Sequence, residues 1–155
     1  MEYSIDTSVM LEAWRRYYPP DIFPKWWGLF EEAIDNGIVR SSEIILLNDL
    51  SKKDDDVYAW AKNHKKLFIQ IDDKIQIEVS RILSSYPRLV ENKKGRSASD
   101  PFVIALAKLN NAIVVTCEKP TNKIDKPNIP DVCNDMKIEW IDLVNFMRKM
   151  NWRFS

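Results

Sequence analysis

The sequence contains little of what several common functional sites require. Among its 155 residues it has two cysteines, Cys117 and Cys133, and a single histidine, His64. Because no CxxC pair occurs, zinc sites and Cys–His nucleophile pairs have few residues to draw on, and we expect both cysteines to be reduced. The formal net charge is zero, so any binding of nucleic acid must use local basic patches.

Long apolar runs are also missing. No stretch approaches the roughly 20 consecutive apolar residues of a membrane span, and the start Met1-Glu2-Tyr3 lacks the profile of a signal peptide. We therefore expect a cytoplasmic protein that does not enter the membrane. With 155 residues, 45% of them hydrophobic, and six tryptophans, the chain is long enough for one well-filled core. Residues 1–155 are expected to form a single domain.

Lysine and arginine are concentrated in three short clusters. These are Lys62, Lys65 and Lys66, then Lys93, Lys94 and Arg96, and finally Lys119, Lys123 and Lys126. Such charge runs are most often solvated loops or helix faces. The second cluster is of more interest, because it directly precedes Asp100.

Apolar periodicity predicts alternating strands and helices. Strands are predicted at 1–6, 38–40, 112–116 and 137–141, and helices at 9–14, 21–36, 41–50, 54–65, 72–85, from 101 onward, 131–134 and 142–150. Ser41 or Ser42 is the expected N-cap of the third helix, Asp100 of the sixth, and Gly37 is expected to end the second. Strands separated by helices predict an α/β fold with parallel pairing.

Four carboxylates fall at positions where such a fold would gather them. Asp6 and Glu118 follow predicted strands, Asp100 begins a predicted helix, and Asp49 lies in the helix after the second strand. Ligands of open parallel sheets bind beyond the carboxyl ends of the strands. Because Mg²⁺ and Mn²⁺ take oxygen ligands, the pattern predicts a metal-dependent phosphodiesterase. Taken singly, each of these acids could equally be a helix cap or a surface residue.

The order of these motifs resembles that of the PIN-domain nucleases, many of which are toxin ribonucleases of prokaryotic toxin–antitoxin pairs. Segment 16–24 together with the Asp-Pro-Phe at 100–102 resembles, more narrowly, a PIN-like prokaryotic subfamily. The motifs that carry the resemblance are, in chain order, Asp6-Thr7-Ser8, Asp49-Leu50, Asp100 before an Ile- and Ala-rich helix, and Thr116 followed by Glu118.

The resemblance implies a three-layer α/β/α domain with a central, mainly parallel sheet of about four to five strands. It further implies an endoribonuclease that uses Mg²⁺ or Mn²⁺, binds RNA, is controlled by an antitoxin protein and can form a homodimer. Carried over residue by residue, Asp6 would be the central metal ligand, Asp49 the second acid and Asp100 the third. Glu118 would be a fourth acid, outer-sphere or on a second metal.

Several further residues are expected to support this site. Thr7 or Ser8 would orient Asp6 or a water through a hydroxyl hydrogen bond, with Thr116 as a further supporting residue. Lys94, Arg96 and Lys119 would bind substrate phosphates. Trp26, Trp27, Trp60, Trp140 and Trp152 are expected in core and interface packing, and the helix around Trp26 and Trp27 is expected to offer apolar surface to a partner.

Two alternatives remain open at this stage. Glu43 competes with Asp49, because it follows the second strand more directly, whereas Asp49-Leu50 better matches the family's acid–Leu pair. The family more often has Asp in place of Glu118 and often Glu in place of Asp49, so a PIN-like binding module without catalysis is also possible. An aspartate-nucleophile phosphatase fits less well, since it would need a second Asp where this chain has Ser8.

Overall fold

Five short strands form one parallel sheet at the centre of the molecule. The computed structural model describes residues 1–53, 55–91 and 99–155. The strands are β1 (Tyr3–Ile5), β2 (Val39–Ser42), β3 (Phe68–Ile69), β4 (Ile113–Val115) and β5 (Trp140–Ile141), in the spatial order β3-β2-β1-β4-β5. Every pairing among them is parallel. The predicted α/β fold with a mainly parallel sheet is thereby confirmed.

Helices cover the sheet and connect its strands. They are α1 (Thr7–Glu12), α2 (Pro24–Asp35), α3 (Asp56–Lys62), α4 (Asp73–Ser85), α5 (Arg88–Glu91), α6 (Asp100–Asn110), α7 (Ile129–Met136) and α8 (Leu143–Lys149). Two π-helical segments, π1 (Ala13–Tyr17) and π2 (Ile45–Leu50), and a 3₁₀ turn (Lys65–Leu67) complete the regular structure. Along the described residues, no helix combines the length and apolar content that crossing a membrane requires.

The central strand β1 shows why the fold has three layers. Its side chains alternate between the two faces of the sheet. The Tyr3 ring meets Phe146 of α8 edge-on at 5.0 Å between ring centroids, whereas Ser4 Oγ donates a hydrogen bond to Val103 O of α6 at 2.8 Å. Because both faces are covered, all three residues of β1 are buried. Such burial is typical of a parallel strand between two helical layers.

The aromatic residues of α2 lie inside the molecule. Trp26 is 0% exposed and Trp27 4% exposed, and both rings pack against Phe30. The expectation that these tryptophans pack in the core is confirmed. The expectation that they offer apolar surface to a partner is wrong, because the α2 face that carries them is turned inward. Exposed apolar side chains occur instead just before α2, at Ile22 and Phe23.

Several predicted boundaries need correction. Ser41 and Ser42 are the last residues of β2, but Ser42 also directly precedes the helical turn that begins at Glu43, and its Oγ accepts a 3.4 Å hydrogen bond from Ile44 N, so the cap expected at Ser41 or Ser42 is confirmed for Ser42. The strand predicted at 137–141 is confined to β5, and β3 was not predicted. The predicted helix start at 54 lies outside the described residues, and α3 begins at Asp56 with Asp55 as its N-cap. By contrast, α2 ends as expected, because Gly37 takes a φ of 72° directly after the C-cap.

The start of α7 differs from the predicted start because of a local hydrogen-bond pattern. Asn128 and Asp131 form a capping box, so this helix begins two residues earlier than the apolar pattern predicts. Asp131 also accepts hydrogen bonds from the backbone N–H groups of Thr121 and Asn122. The proline-containing loop before α7 is therefore fixed to the helix by one buried carboxylate.

Candidate active site

The carboxyl ends of β1 and β4 bring Asp6 next to Thr116. The backbone continues the strand pairing past the end of β1, since Asp6 N donates to Val115 O at 3.0 Å. The sheet order places β1 where the chain turns from one half of the sheet to the other. Parallel sheets bind their ligands at this point of reversal, beyond the carboxyl ends of the strands. Asp6, which is 2% exposed, occupies that position.

Two hydroxyl groups hold the Asp6 carboxylate. Ser8 Oγ donates to Asp6 Oδ2 at 2.6 Å and Thr116 Oγ1 donates to the same oxygen at 2.8 Å. Each hydroxyl also accepts a backbone hydrogen bond from the segment after β4, Ser8 from Cys117 N at 2.9 Å and Thr116 from Glu118 N at 3.0 Å. The orientation of Asp6 is therefore coupled to the chain on which Glu118 lies.

Asp49 reaches the site from π2. Thr7 Oγ1 donates to Asp49 Oδ2 at 2.5 Å. Of the two hydroxyls expected at Asp6, Thr7 or Ser8, it is therefore Ser8 that orients Asp6, whereas Thr7 orients the second acid. Among the described residues, the other oxygen, Asp49 Oδ1, is buried and has no hydrogen-bond partner. Glu43 is engaged elsewhere, because its Oε1 accepts from Ile71 N at 2.8 Å.

Asp100 and Glu118 are placed by helix starts. Asp100 is the first residue of α6 and is 4% exposed, whereas the N-cap is Ser99. The prediction of Asp100 as the cap is therefore wrong by one residue, although its negative charge still lies at the favourable end of the helix dipole. Glu118 is half-buried, and its Oε1 accepts from Ile129 N at the start of α7 at 3.2 Å.

One cavity of about 490 Å³ is lined by all four predicted acids, Asp6, Asp49, Asp100 and Glu118. Its lining also includes, in chain order, Thr7, Ser8, Leu11, Glu12, Arg15, Arg16, Lys52, Lys53 and Ser99. Carboxylates that are separated by up to 112 residues in the sequence thus meet in one concave, partly enclosed space. Such a cavity, which combines apolar and convergent polar side chains, is the expected form of a small-molecule or substrate site.

The cations that the described residues contribute to the cavity were not predicted. Arg15 and Arg16 come from π1, and Lys52 and Lys53 follow π2. In the sequence these cations stand out only as two adjacent pairs. The π-helical turns, in which hydrogen bonds join residues five apart, cannot be predicted from the spacing of apolar residues. π-Helical segments occur often at functional sites, and both segments here contribute residues to the cavity.

Of the three predicted phosphate-binding residues, the structure describes only Lys119, which is not among the described residues that line the cavity. Lys94 and Arg96 lie outside the described residues. Lys119 is exposed in the loop after β4, where its backbone carbonyl accepts a hydrogen bond from Asn128 Nδ2 at 2.8 Å. Their roles toward substrate remain predictions.

The donor set fits a hard divalent cation in kind. All four acids supply oxygen, and Asp49 is the acid whose Oδ1 is buried without a hydrogen-bond partner among the described residues. Within the described residues, however, no group of three or more His, Cys, Asp or Glu side chains is close enough to hold a metal ion. Ligation by three of these acids therefore requires their side chains to move toward one another.

The negative charge of the site contributes to the raised pKa of a neighbouring thiol, Cys117. Burial, together with the charges of Asp6 and Glu12, raises the pKa of Cys117 to about 12. Cys133, also a free thiol, has its pKa raised to about 12 by burial, with smaller contributions from Asp6 and Glu118. Both cysteines are therefore protonated at neutral pH and are poor nucleophiles.

The fold and the cavity define an α/β/α protein with a carboxylate site at the switch point of a parallel sheet. The chain belongs to the family described as Domain of unknown function (DUF4411), whose model matches residues 3–154. The crystal structure of PAE2754 from Pyrobaculum aerophilum is similar, with a TM-score of 0.53 and 18% sequence identity over 97% of each chain. At this identity the likeness concerns the fold. No curated protein matches the chain.

Proposed function

We propose that the protein is a metal-dependent endoribonuclease that hydrolyses phosphodiester bonds in the cavity lined by Asp6, Asp49, Asp100 and Glu118. The observation that carries the proposal is the convergence of these four acids on one cavity at the carboxyl ends of β1 and β4. They are also the four acids that the resemblance to PIN-domain nucleases implies. Unrelated surface carboxylates would not be expected to line one cavity and also to match the chain order of the acids in PIN-domain nucleases.

Asp6, Asp49 and Asp100 are the proposed ligands of Mg²⁺ or Mn²⁺, with Glu118 as an outer or second-ion acid. When bound, such an ion offsets negative charge on a phosphodiester and makes a water molecule a stronger nucleophile. Asp49 Oδ1, which is buried without a hydrogen-bond partner in the described part of the chain, supports this assignment, since such an oxygen is costly to bury unless a ligand meets it.

The other residues of the site keep these acids oriented. Ser8 and Thr116 fix one oxygen of Asp6 and thereby hold its carboxylate in a defined orientation. Thr7 does the same for Asp49. Such outer hydrogen bonds raise the affinity of a carboxylate site for its ion, and their loss typically lowers affinity or activity by about 10- to 100-fold.

A paired substitution tests the site directly. We expect Asp49→Asn to lower chelator-sensitive cleavage of a mixed RNA pool in Mn²⁺ by at least about 100-fold, because the variant removes a proposed ligand. Glu43→Gln is the matched control and is expected to leave cleavage unchanged, since Glu43 caps Ile71 N. The measurement is the rate of fragment formation with and without chelator.

The two variants also separate the remaining alternatives. Cleavage that survives the chelator, or that falls with Glu43→Gln and not with Asp49→Asn, would contradict the proposed site. Binding of RNA by wild-type protein with no cleavage in Mg²⁺ or Mn²⁺ would instead favour a PIN-like binding module. One observation favours this second function: among the described residues, three acids can ligate one ion only after their side chains move.

The resemblance supports a cellular role as the toxin of a type II toxin–antitoxin pair. On this proposal, an antitoxin protein covers the cavity, and the protein acts in the cytoplasm as a monomer or homodimer. Expression of the wild-type chain in a bacterial host should then arrest growth, whereas Asp49→Asn should not. Equal growth of both strains at equal protein levels would argue against the toxin role while leaving the nuclease activity to the cleavage assay.

A further inference from the structure

Four cations line the same cavity as the four acids and form what we call the cationic wall: Arg15, Arg16, Lys52 and Lys53. The wall is not one of the three basic clusters that the sequence displays. It is assembled from two segments that are about 35 residues apart in the sequence. The first pair lies within π1, and the second pair follows π2.

Two interactions hold the segments of the wall side by side. At one end, Thr7 Oγ1 of α1 donates to Asp49 Oδ2 at 2.5 Å. At the other end, Arg15 of π1 pairs with Asp55, the N-cap of α3, at 2.7 Å. Asp49 and Asp55, which lie on either side of Lys52 and Lys53 in the sequence, are therefore both bonded to the helical segment that carries Arg15 and Arg16.

The charge of the wall is available to a ligand. Arg15 and Arg16 pair with Asp55 and Glu12, and the Arg16 side chain is still 69% exposed. Lys52 and Lys53 are exposed, and within the described part of the chain neither forms an ion pair. Lysines held beside an acidic cavity without ion-pair partners are suited to anionic groups of a substrate that continues beyond the reacting phosphate.

We propose that the cationic wall binds the phosphates that flank the scissile bond of a single-stranded nucleic acid. This inference rests on the proposed function, since it assigns the substrate class of the same cavity. A single strand can bend its backbone from the acids to the wall, and backbone contacts to Lys and Arg bind without regard to sequence. The wall therefore selects a polynucleotide over a small phosphodiester and does not select its bases.

The test measures binding and hydrolysis separately. Lys52→Ala/Lys53→Ala is compared with the matched control Lys65→Ala/Lys66→Ala, which removes the same charge from the turn before β3. In an Asp6→Asn background, which suppresses cleavage, a labelled 12-nucleotide single strand should bind about tenfold more weakly to the wall variant and unchanged to the control. The slope of log affinity against log salt should fall by about 0.7 for each phosphate that the wall variant no longer neutralises.

With Asp6 restored, the wall variant should lose RNA cleavage by a much larger factor than it loses hydrolysis of bis(p-nitrophenyl) phosphate, which has no flanking phosphates. Equal binding of the strand by the wall and control variants, or no binding by the parent protein, would overturn the inference whatever the cleavage assay shows. A parallel loss of RNA cleavage and small-diester hydrolysis would also overturn it, because the wall would then act on the acids themselves. If the wall variant binds the strand more weakly but no variant cleaves RNA, the wall stands and the nuclease proposal fails.

Discussion

Asp6 and Asp131 are both buried carboxylates near the same edge of the sheet, but they are satisfied by different donors. Asp131 accepts from three backbone N–H groups, those of Thr121, Asn122 and Asn128, at 2.8 to 2.9 Å. The described donors to Asp6 Oδ2 are two hydroxyl groups, at 2.6 and 2.8 Å. Asp131 also accepts from Thr121 Oγ1 at 3.1 Å, but most of its donors are backbone groups of one loop, whereas the donors described for Asp6 Oδ2 are side-chain hydroxyls.

This difference separates a structural acid from a site acid. Backbone N–H groups cannot leave Asp131 without unfolding the loop, so its hydrogen bonds contribute to stability. Hydroxyl groups can rotate and can either donate or accept, so Asp6 can exchange partners while the backbone stays in place. An acid that must accommodate a ligand needs the second arrangement.

The largest expected effect is on catalysis and comes from Asp6→Asn. The variant keeps the shape of the side chain and can still accept from Ser8 and Thr116, but it removes the charge that the proposed site requires. We expect RNA cleavage to fall by at least about 100-fold, while the thermal midpoint changes by no more than a few degrees. Cleavage rate and circular dichroism melting are the measurements, and retention of full activity would show that Asp6 is a structural acid like Asp131.

The opposite behaviour is expected of Asp131→Ala. Three backbone N–H groups would lose their acceptor in a buried loop, which should lower the free energy of unfolding by about 3 kcal/mol. For a chain of this size the thermal midpoint should fall by roughly 6 to 12 °C. Cleavage per folded molecule should be retained below the transition, and a loss of activity without a loss of stability would erase the distinction between the two acids.

A smaller effect is expected at the hydroxyl that joins Asp6 to the segment after β4. Thr116→Val removes both the donor to Asp6 Oδ2 and the acceptor for Glu118 N, so cleavage should fall about tenfold. Thr116→Ser retains the hydroxyl and should restore most of the rate. If Ser rescues stability but not cleavage, the methyl group and not the hydrogen bond is what the site requires.

The positions of Asp6 and Thr116 were predictable because the apolar runs that precede them are unambiguous. A run such as Ile113–Val115 is buried on both faces of a parallel sheet and ends where polar residues begin. The acids at two strand ends therefore follow from the chain itself, whereas β3 is two residues long and gives almost no pattern.

The cationic wall was not predictable for a different reason. Arg15 and Arg16 belong to a helix whose hydrogen bonding changes from α to π at Ala13, which rotates the later side chains relative to an ideal helix. Lys52 and Lys53 reach the cavity because Asp49 and Asp55 are anchored on either side of them. The α-to-π change and the two anchoring contacts both involve residues other than the four cations. The sequence around the cations therefore does not predict their position.

The smallest expected effect is the pH dependence of the stability that Asp131 provides. Burial alone would raise its pKa, but the N–H groups of Thr121, Asn128 and Asn122 outweigh burial and hold the pKa of Asp131 below its usual value. A carboxyl with a lowered folded-state pKa stabilises above its unfolded pKa and loses that contribution as the pH falls through the folded value.

The difference in unfolding free energy between wild type and Asp131→Asn should therefore be largest near neutral pH and shrink below about pH 4. Urea unfolding at pH 7 and pH 3 measures this difference.

Asp55→Asn is a matched comparison, because the pKa of Asp55 is lowered too: burial raises it, but hydrogen bonds from Arg15 and from Tyr58 N outweigh that effect. Its side chain is 35% exposed, so its pH-dependent difference should be smaller and should decrease with added salt. Equal pH dependence for both variants would contradict the expectation that exposure to solvent weakens the contribution of Asp55.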